Sequence, residues 1–491
     1  MRTWARWVGA VASAALLAAL LPVVPARPVS ATVPTTTLRW QACGDGDVEC
    51  ASLLVPADHD APDGPSVDLA VGRIPASDRA DRVGVLVVNP GGPGVSGVDR
   101  LASLAGSLPA EVRERFDVVS FDPRGVGGTT PVDCSTSLDG VFDTSFSPDT
   151  EQQRAALVDA VASVAEQCGH RNGDLLSQVS TIDAARDLDV LRAALGERRV
   201  SFLGYSYGTY LGSLYAAQYP ERVRAMVLDG AIDPGVDALE SMLLQARGFE
   251  SNLDDFLAGC ADDDECLFHR DGESARAYDG LRARLAEQPL GVDRADGRAL
   301  NVTRFDAAVL QLLYGGRASW STLARALDET ARGDGSRLLD IADQFVGRDP
   351  DGGDDDTVEA FWAISCLDGP LVSDVAEMTA IETAVRERAP RLGGFVVNFS
   401  LACALWPARG AEVPPSIVGA APRALVVSSA HDPATPLVSA RNLARVLGDA
   451  SLVVGRGDRH TAFAGGNACV DDAVTGYLLA PARSRARLTR C

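Results

Sequence analysis

Apolar residues along this chain follow two spacings, one typical of buried strands and one typical of helices. A continuous apolar run, suited to a strand covered on both faces, occupies residues 83–88, and further mostly apolar stretches predict strands at 116–121, 200–203, 223–228, 424–429 and 451–454. Shorter alternating stretches at 52–55 and 66–74 predict an antiparallel edge of the same sheet. Between the runs, stretches such as 181–196 have helical spacing. This alternation predicts an α/β fold: a mostly parallel sheet with helices on both faces.

The pattern changes between residues 233 and 421. This segment is rich in Ala, Leu, Arg and Asp at helical spacing, and it has no apolar run comparable to 83–88. We therefore expect a helical cap, inserted over the carboxyl edge of the sheet. The sheet domain is predicted to consist of an N-terminal part, 35–232, and a C-terminal part, 422–491.

The charge of the chain restricts its partners. The 45 basic residues are all arginine, and 67 acidic residues give a net charge of −22. Such a protein repels the phosphate backbone, so nucleic acid is excluded as a partner. A hydrophobic content of 46% is ample for a large core. An acidic surface fits an exported enzyme.

The first residues resemble an export signal. Arg2 and Arg6 precede an apolar run from Val8 to Leu21, and small residues follow it up to Ala31. A retained membrane anchor and a buried helix are the alternatives, but the run is shorter than the roughly 20 residues of a membrane span. We predict a signal peptide over residues 1–31. Secretion to the extracellular or cell-wall space, without a stable membrane anchor after cleavage, follows from it.

Ten cysteines behind an export signal fit disulfides better than metal ligands. No C-x-x-C pair and no histidine cluster indicates zinc, and no metal or cofactor is predicted. Pairing between sequence neighbours is a hypothesis for each bridge, since connectivity does not follow from sequence. The suggested pairs are Cys43–Cys50, Cys134–Cys168, Cys260–Cys266, Cys366–Cys403 and Cys469–Cys491.

A G-x-S-x-G motif, Gly204 to Gly208, lies between an apolar strand and a segment of helical spacing. A strand that turns at once into a helix crowds its own backbone, and the two glycines remove the clashing Cβ atoms. Ser206 is then exposed on a strained turn as a nucleophile. The N–H of Tyr207, at the start of the helix, is placed to stabilise an oxyanion. The alternative is an ordinary glycine-flanked turn.

A serine nucleophile needs a histidine base and a carboxylate that orients the histidine. His460 follows the last apolar run through a glycine-rich loop, and Asp432 follows the run at 424–429 directly. Asp458 is nearer in sequence, but two residues before His460 it is poorly placed to receive the histidine Nδ1–H. The order Ser206, Asp432, His460 therefore predicts a catalytic triad.

Two further strand ends carry glycine-rich turns. Gly91 and Gly92, in Asn89–Gly94, free the backbone to point N–H groups into a site, which suggests the second half of an oxyanion hole. The alternative is a plain Gly/Pro turn. Asp122 and Arg124 begin the other turn, and we assign them a structural role.

Together these motifs resemble the secreted tripeptidyl aminopeptidases of high-GC bacteria, which are proline iminopeptidase-like serine peptidases of the α/β-hydrolase fold. The resemblance covers nearly all of the chain after the signal. It implies Ser206 as nucleophile, Asp432 as acid and His460 as base, with oxyanion donors from Tyr207 and the Gly91–Gly92 region. It also implies a cap that admits only the N-terminal end of a peptide.

An aminopeptidase must recognise a free α-ammonium, which calls for a carboxylate near the mouth of the site. The candidates are Asp233, Glu240, Glu250 and Asp368, and for any one of them a solvent-facing helix charge is as good an interpretation. We prefer Asp368, which lies in an apolar setting between Cys366 and Pro370.

Three functions compete. The leading one is an exported serine exopeptidase that removes short peptides, predicted to be tripeptides, from the free N-terminus of peptide substrates through an acyl-enzyme on Ser206. A secreted carboxylesterase or amidase with the same triad is the first alternative. A non-catalytic surface protein of this fold is the second, and the intact triad argues against it.

Overall fold

A computed structural model gives the arrangement of the sheet and the cap. It describes residues 38–491 except 45, 135–136, 349–354, 370–371, 373, 411–415, 422, 449 and 484–487. The predicted signal peptide, residues 1–31, lies outside the described residues.

Ten strands form one sheet, as the apolar runs predict. In chain order they are β1 (Gln41–Ala42), β2 (Glu49–Pro56), β3 (Ser66–Ile74), β4 (Gly84–Asn89), β5 (Phe116–Phe121), β6 (Val200–Tyr205), β7 (Val223–Asp229), β10 (Leu425–Ser429), β11 (Ser451–Gly455) and β12 (Leu488–Arg490). The order across the sheet is β1-β2-β3-β5-β4-β6-β7-β10-β11-β12. The first three pairings are antiparallel and the others are parallel. The predicted α/β-hydrolase architecture is confirmed.

Helices cover both faces of the sheet and also build the cap. They are α1 (Leu101–Ser107), α2 (Ala110–Arg115), α3 (Asp139–Phe142), α4 (Glu151–Asn172), α5 (Thr181–Ala194), α6 (Tyr207–Gln218), α7 (Ala238–Ala261), α8 (Ser274–Glu287), α9 (Val302–Leu313), α10 (Trp320–Ala331), α11 (Ser336–Val346), α12 (Thr357–Asp368), α13 (Val375–Arg386), α14 (Gly393–Asn398), α15 (Ala402–Leu405), α16 (Leu437–Val446) and α17 (Ala468–Leu479). A short hairpin, β8 (Leu290–Gly291) with β9 (Ala299–Leu300), lies between α8 and α9.

Two apolar cores lie on the two faces of the sheet. Helices α5, α6 and α16 contribute buried residues such as Leu188, Leu211 and Leu443 to one face. Helices α1, α2 and α17 contribute Leu101, Val112 and Val474 to the other. The parallel strands of the sheet all end at one edge, where the loops after β4, β6, β7, β10 and β11 meet.

The cap differs from its predicted boundary. Helices α7 to α15 lie between β7 and β10, in agreement with an insertion from 233 to 421. The long helix α4, however, packs through Leu157, Val161 and Val164 into the same apolar core as the cap helices. The segment between β5 and α5 therefore belongs to the cap, which has two insertions rather than one. The apolar spacing of a sequence indicates a helix but does not reveal the surface on which that helix packs.

All five suggested cysteine pairs are disulfide-bonded, so the pairing hypothesis is confirmed. Cys134–Cys168 and Cys366–Cys403 lie inside the cap, and Cys469–Cys491 ties β12 to the start of α17. Among the described helices, none combines the length and the apolar character that crossing a membrane requires.

Candidate active site

The candidate nucleophile lies on the turn that the glycines predict. Ser206 joins β6 to α6 with φ 53° and ψ −120°, a left-handed backbone that few non-glycine residues adopt. Its N–H donates to the carbonyl of Asp229 at the end of β7, 2.8 Å away. A Cβ on Gly208 would lie 2.7 Å from Oδ1 of Asn89, so only glycine fits there. Contacts with Asp229 and Asn89 hold the strained turn at Ser206 in place.

Asp432 and His460 are directly paired. Both carboxylate oxygens of Asp432 lie close to Nδ1 of His460, at 2.9 and 3.0 Å. The same carboxylate accepts the N–H groups of Ala434, Thr435 and Thr461. Burial alone would raise the pKa of Asp432, but the histidine charge and these donors hold it below its usual value. Asp432 is therefore an ionised carboxylate in position to orient the imidazole.

The second ring nitrogen of His460 is not used by Asp432. Nε2 of His460 is buried and has no hydrogen-bond partner within the described part of the chain. A Cβ on Gly230 would come within 3.0 Å of Cε1 of His460, so the ring packs on this residue. Gly230 follows Asp229, whose carbonyl holds the N–H of Ser206. Burial lowers the pKa of His460, yet the Asp432 carboxylate raises it overall.

Asp458, the competing carboxylate, has another partner. It accepts the N–H of Arg317 at 3.0 Å and pairs with its Nε at 3.2 Å. Arg317 follows Tyr314, whose carbonyl accepts the N–H of His460 at 2.9 Å and whose ring packs edge-on against the imidazole. The choice of Asp432 over Asp458 agrees with these contacts. The turn 314–317 lies between α9 and α10, so the cap touches the histidine loop, residues 456–463.

Three backbone groups were predicted as oxyanion donors. Tyr207 is the first residue of α6, so its N–H has no carbonyl acceptor within its own helix. The N–H of Gly91, in contrast, donates to Oδ1 of Asn89 at 3.0 Å. Gly92 is exposed and lines the cavity that contains Ser206. The geometry favours Tyr207 and Gly92 as donors, with Gly91 as the residue that shapes the turn.

Asp122 and Arg124 have the structural roles expected of them. Asp122 accepts the hydroxyl of Ser96 and the N–H of Gly128, which fixes the turn after β5. Arg124 is fully buried and forms a two-point ion pair with Asp187, at 2.6 and 2.8 Å.

A cavity of about 370 Å³ separates the cap from the sheet above Ser206. One wall carries apolar cap residues, including Phe345, Phe361 and Phe399. A second, more polar region includes Tyr210, Asp233 and Asp368. The nucleophile therefore opens into a mostly apolar chamber with carboxylates at particular positions.

Asp368 is the amine-binding candidate that the structure brings to this cavity. It ends α12, and its oxygens accept the N–H of Thr181, at 2.8 Å, and the Thr181 hydroxyl. That hydroxyl also contacts the hydroxyl of Tyr207, which follows the nucleophile. Burial raises the pKa of Asp368 to about 7 despite the two hydrogen bonds.

The structure does not support Glu240 and Glu250 as amine-binding residues. Glu250 is buried and holds Arg391 at 3.3 Å, while also accepting the N–H of Leu392. Arg391 thus compensates the charge of Glu250, and neither residue lines the cavity. Glu240 is an exposed residue of the first turn of α7, where it complements the helix dipole. Asp233 does line the cavity, and its carboxylate accepts the N–H of Gly235.

Asp229 is a site residue that the sequence reasoning missed. It is completely buried at the end of β7, and its carboxylate accepts the N–H groups of Ala462 and Phe463 at 2.7–3.0 Å. Burial raises its pKa to about 6. An acid that directly follows a buried strand, as Asp432 does, was the signal available for it.

Comparison with known proteins agrees with this geometry. The family described as alpha/beta hydrolase fold matches residues 84–466. Serine protease Hip1 of Mycobacterium tuberculosis is 34% identical over 96% of this chain and 95% of its own length. Carboxylesterase B of the same organism is 39% identical, covering 88% and 84%. Tripeptidyl aminopeptidase of Streptomyces lividans is 30% identical, covering 92% and 86%.

The chain belongs to the α/β-hydrolase family of serine peptidases and is a serine hydrolase. The predicted resemblance to the tripeptidyl aminopeptidases is confirmed at the level of the family. Its relatives carry peptidase and esterase names, so the substrate has to be argued from the cavity.

Proposed function

We propose that this serine hydrolase is an exported aminopeptidase that releases tripeptides from the free N-terminus of peptides. Ser206 is the nucleophile, His460 the general base and Asp432 the acid that orients it. The pairing of all ten cysteines in disulfides supports an oxidising compartment outside the cytoplasm. Its partners would be peptide substrates.

The proposed reaction proceeds through an acyl-enzyme. Nε2 of His460 takes the proton of the Ser206 hydroxyl as Oγ attacks the scissile carbonyl. The N–H groups of Tyr207 and Gly92 stabilise the oxyanion of the tetrahedral intermediate. When the C–N bond breaks, His460 gives its proton to the leaving amine. A water molecule, deprotonated by His460, then attacks the acyl carbon. His460 returns the proton to Oγ of Ser206 as the bond between Oγ and the acyl carbon breaks, which releases the peptide.

One observation favours a peptidase over an esterase: the carboxylate of Asp368 in the wall of a mostly apolar cavity. Among the described residues Asp368 has no cationic partner, and a half-buried carboxylate in that setting costs free energy, as its raised pKa reflects. The α-ammonium of a peptide would compensate that charge. A neutral ester offers no such compensation. The hydrogen bonds from Thr181 occupy one lone pair on each carboxylate oxygen of Asp368 and leave room for further donors.

The geometry of α12 supports the release of a tripeptide. Its N-terminal turn packs on the oxyanion loop, since a Cβ on Gly94 would lie only 2.9 Å from the N of Phe361. Asp368 is seven residues further along the same helix, a rise of about 10 Å. Three extended residues span about the same distance. A peptide held at Asp368 would therefore present its third carbonyl near the oxyanion loop.

The test uses the chromogenic anilides of a free tripeptide, of its N-acetylated form and of a single residue, together with a butyrate ester. The proposal expects fast cleavage of the free tripeptide anilide and a loss of about 100-fold on acetylation. Asp368→Asn should raise KM for the free tripeptide by about 10- to 100-fold and leave ester cleavage unchanged. Asn keeps the shape and the bond from the Thr181 N–H, so the fold is preserved.

Asp233→Asn is the matched control, because Asp233 is another acid of the same cavity. If it raises KM in place of Asp368→Asn, the amine site is on the sheet side of the cavity. Equal cleavage of free and acetylated anilides by the wild type would overturn the aminopeptidase. Ester cleavage alone would favour the second candidate, an esterase, which the name of the 39% identical relative supports.

A further inference from the structure

The cap wall of the cavity contains a cluster of four phenylalanine rings, here called the aromatic wall. Phe345 lies in the last turn of α11, Phe361 lies in α12, Phe395 lies in α14, and Phe399 directly follows α14. All four line the cavity that contains Ser206. The wall is therefore built by three helices that are separated along the chain.

The rings hold one another in fixed orientations. Phe361 and Phe399 lie 5.1 Å apart with tilted planes, and Phe345 meets Phe399 edge-on at 5.4 Å. Phe395 stacks on Phe399 at 5.9 Å and meets Phe345 edge-on at 5.7 Å. These distances lie in the range of favourable aromatic pairs. The surface presented to a ligand is thus preorganised.

Only one of the four rings is fully covered. Phe395 is buried, whereas Phe345, Phe361 and Phe399 are half-buried toward the cavity. Apolar surface left uncovered inside an enclosed site is stabilised when a ligand covers it. An aromatic ring or a large aliphatic side chain would meet the exposed faces and edges, whereas a charged side chain would lose its hydration there.

The position of the wall along α12 selects the substrate residue. Phe361, Ser365 and Asp368 all line the cavity from this one helix. Asp368 would hold the α-ammonium, and Phe361 lies two turns away, at the end of the helix that packs on Gly94 of the oxyanion loop. The wall is therefore near the scissile carbonyl, not near the amine.

We propose that the aromatic wall is the binding site for the side chain of the third residue, the one that supplies the scissile carbonyl. The substrates are then peptides with an aromatic or large aliphatic residue at that position. This inference rests on the proposed aminopeptidase function, whose triad and amine site are tested separately.

The experiment measures kcat/KM for free-amine tripeptide anilides of Ala in which Phe replaces one residue at a time. Phe at the third position should exceed Ala by about 10- to 100-fold, as expected for burying one large apolar side chain. Phe at the first or second position should change the value by less than about 3-fold, and Glu at the third should abolish cleavage. A preference for Phe at the first or second position instead would overturn the assignment.

Variants connect the preference to the wall. Phe361→Ala should reduce the third-position ratio of Phe to Ala to below about 5, mainly through KM. Phe361→Leu keeps a large apolar side chain and controls for a folding defect in Phe361→Ala. It should lose only part of the third-position ratio of Phe to Ala. Met242→Ala is the matched control, because Met242 lines the cavity from α7 and takes part in none of the ring pairs. An unchanged ratio in Phe361→Ala would refute the inference.

The two proposals fail in different ways. If tripeptide anilides are cleaved with dependence on the free amine but without preference at the third position, the aromatic wall is refuted and the aminopeptidase stands. If acetylated and free anilides react equally but keep the Phe preference, the wall stands and the amine site does not.

Discussion

The sheet and the cap hold their functional carboxylates by different means. On the sheet, Asp432 and Asp229 are each bonded by backbone N–H groups of the turns and loops that follow the strands. In the cap, Asp368 is held by Thr181, which is 187 residues earlier in the chain. The two sheet carboxylates thus accept two or three backbone N–H groups each, whereas Asp368 accepts one backbone N–H and one hydroxyl. The cavity wall of the cap can then vary as long as the turn 314–317, which contacts His460, is kept.

The largest effect expected on the sheet side comes from Ser206→Ala. Removal of Oγ leaves no nucleophile, so kcat should fall roughly 10⁵- to 10⁶-fold. The free energy of unfolding should stay the same or increase slightly, since Ala has the same small Cβ on the strained turn. Anilide turnover and urea unfolding measure the two quantities. Residual activity above a few per cent would disprove the nucleophile.

Asp432→Asn should be the next most damaging change. The amide cannot accept the Nδ1–H in the same way, and the imidazole takes the wrong tautomer, so kcat should fall about 10⁴-fold. Asp458→Asn is the control and should cost less than about 5-fold, because the amide oxygen can still accept the N–H of Arg317 and the Arg317 side chain is mostly exposed. The opposite ranking would mean that the wrong carboxylate has been assigned.

Asp229→Asn tests the second carboxylate of the sheet side. The amide can no longer accept all the N–H bonds of Ala462 and Phe463, so the histidine loop should loosen and kcat fall about 10-fold. KM should change little. A tenfold rise in KM at constant kcat would instead connect Asp229 to the substrate.

For the cap, the sharpest test is the pH dependence of stability. The pKa of Asp368 is raised by burial to about 7 in the folded protein, against about 4 when unfolded. Its neutral form favours folding below pH about 4, and this contribution is lost as pH rises to about 7. Asp368→Asn should therefore be more stable than the wild type by about 1–3 kcal/mol at pH 8, and the difference should vanish near pH 4. Urea unfolding at the two pH values measures it, and a difference independent of pH would contradict the raised pKa.

The sheet and the cap also differ in how far their structures can be predicted from the sequence. Ser206, Asp432 and His460 each follow an apolar run at a strand end, so local pattern was enough to select them, and the strands at 66–74 and 116–121 have the predicted bounds. The cap was recognised only as helical, because helical spacing does not reveal a packing partner. For that reason α4 falls within the predicted sheet domain, although it packs with the cap helices. Glu250 is likewise a predicted amine-binding candidate, although the structure pairs it with Arg391.

The contact between the turn 314–317 and the histidine loop has a consequence for how such enzymes diversify. The carbonyl of Tyr314 holds the N–H of His460, and the backbone of Arg317 holds Asp458. A graft that replaces the whole insertion with that of another hydrolase would remove both bonds and leave the base unsupported. Exchange of specificity between family members should succeed when the joint includes this turn, and fail when the cut falls between the cap and the histidine.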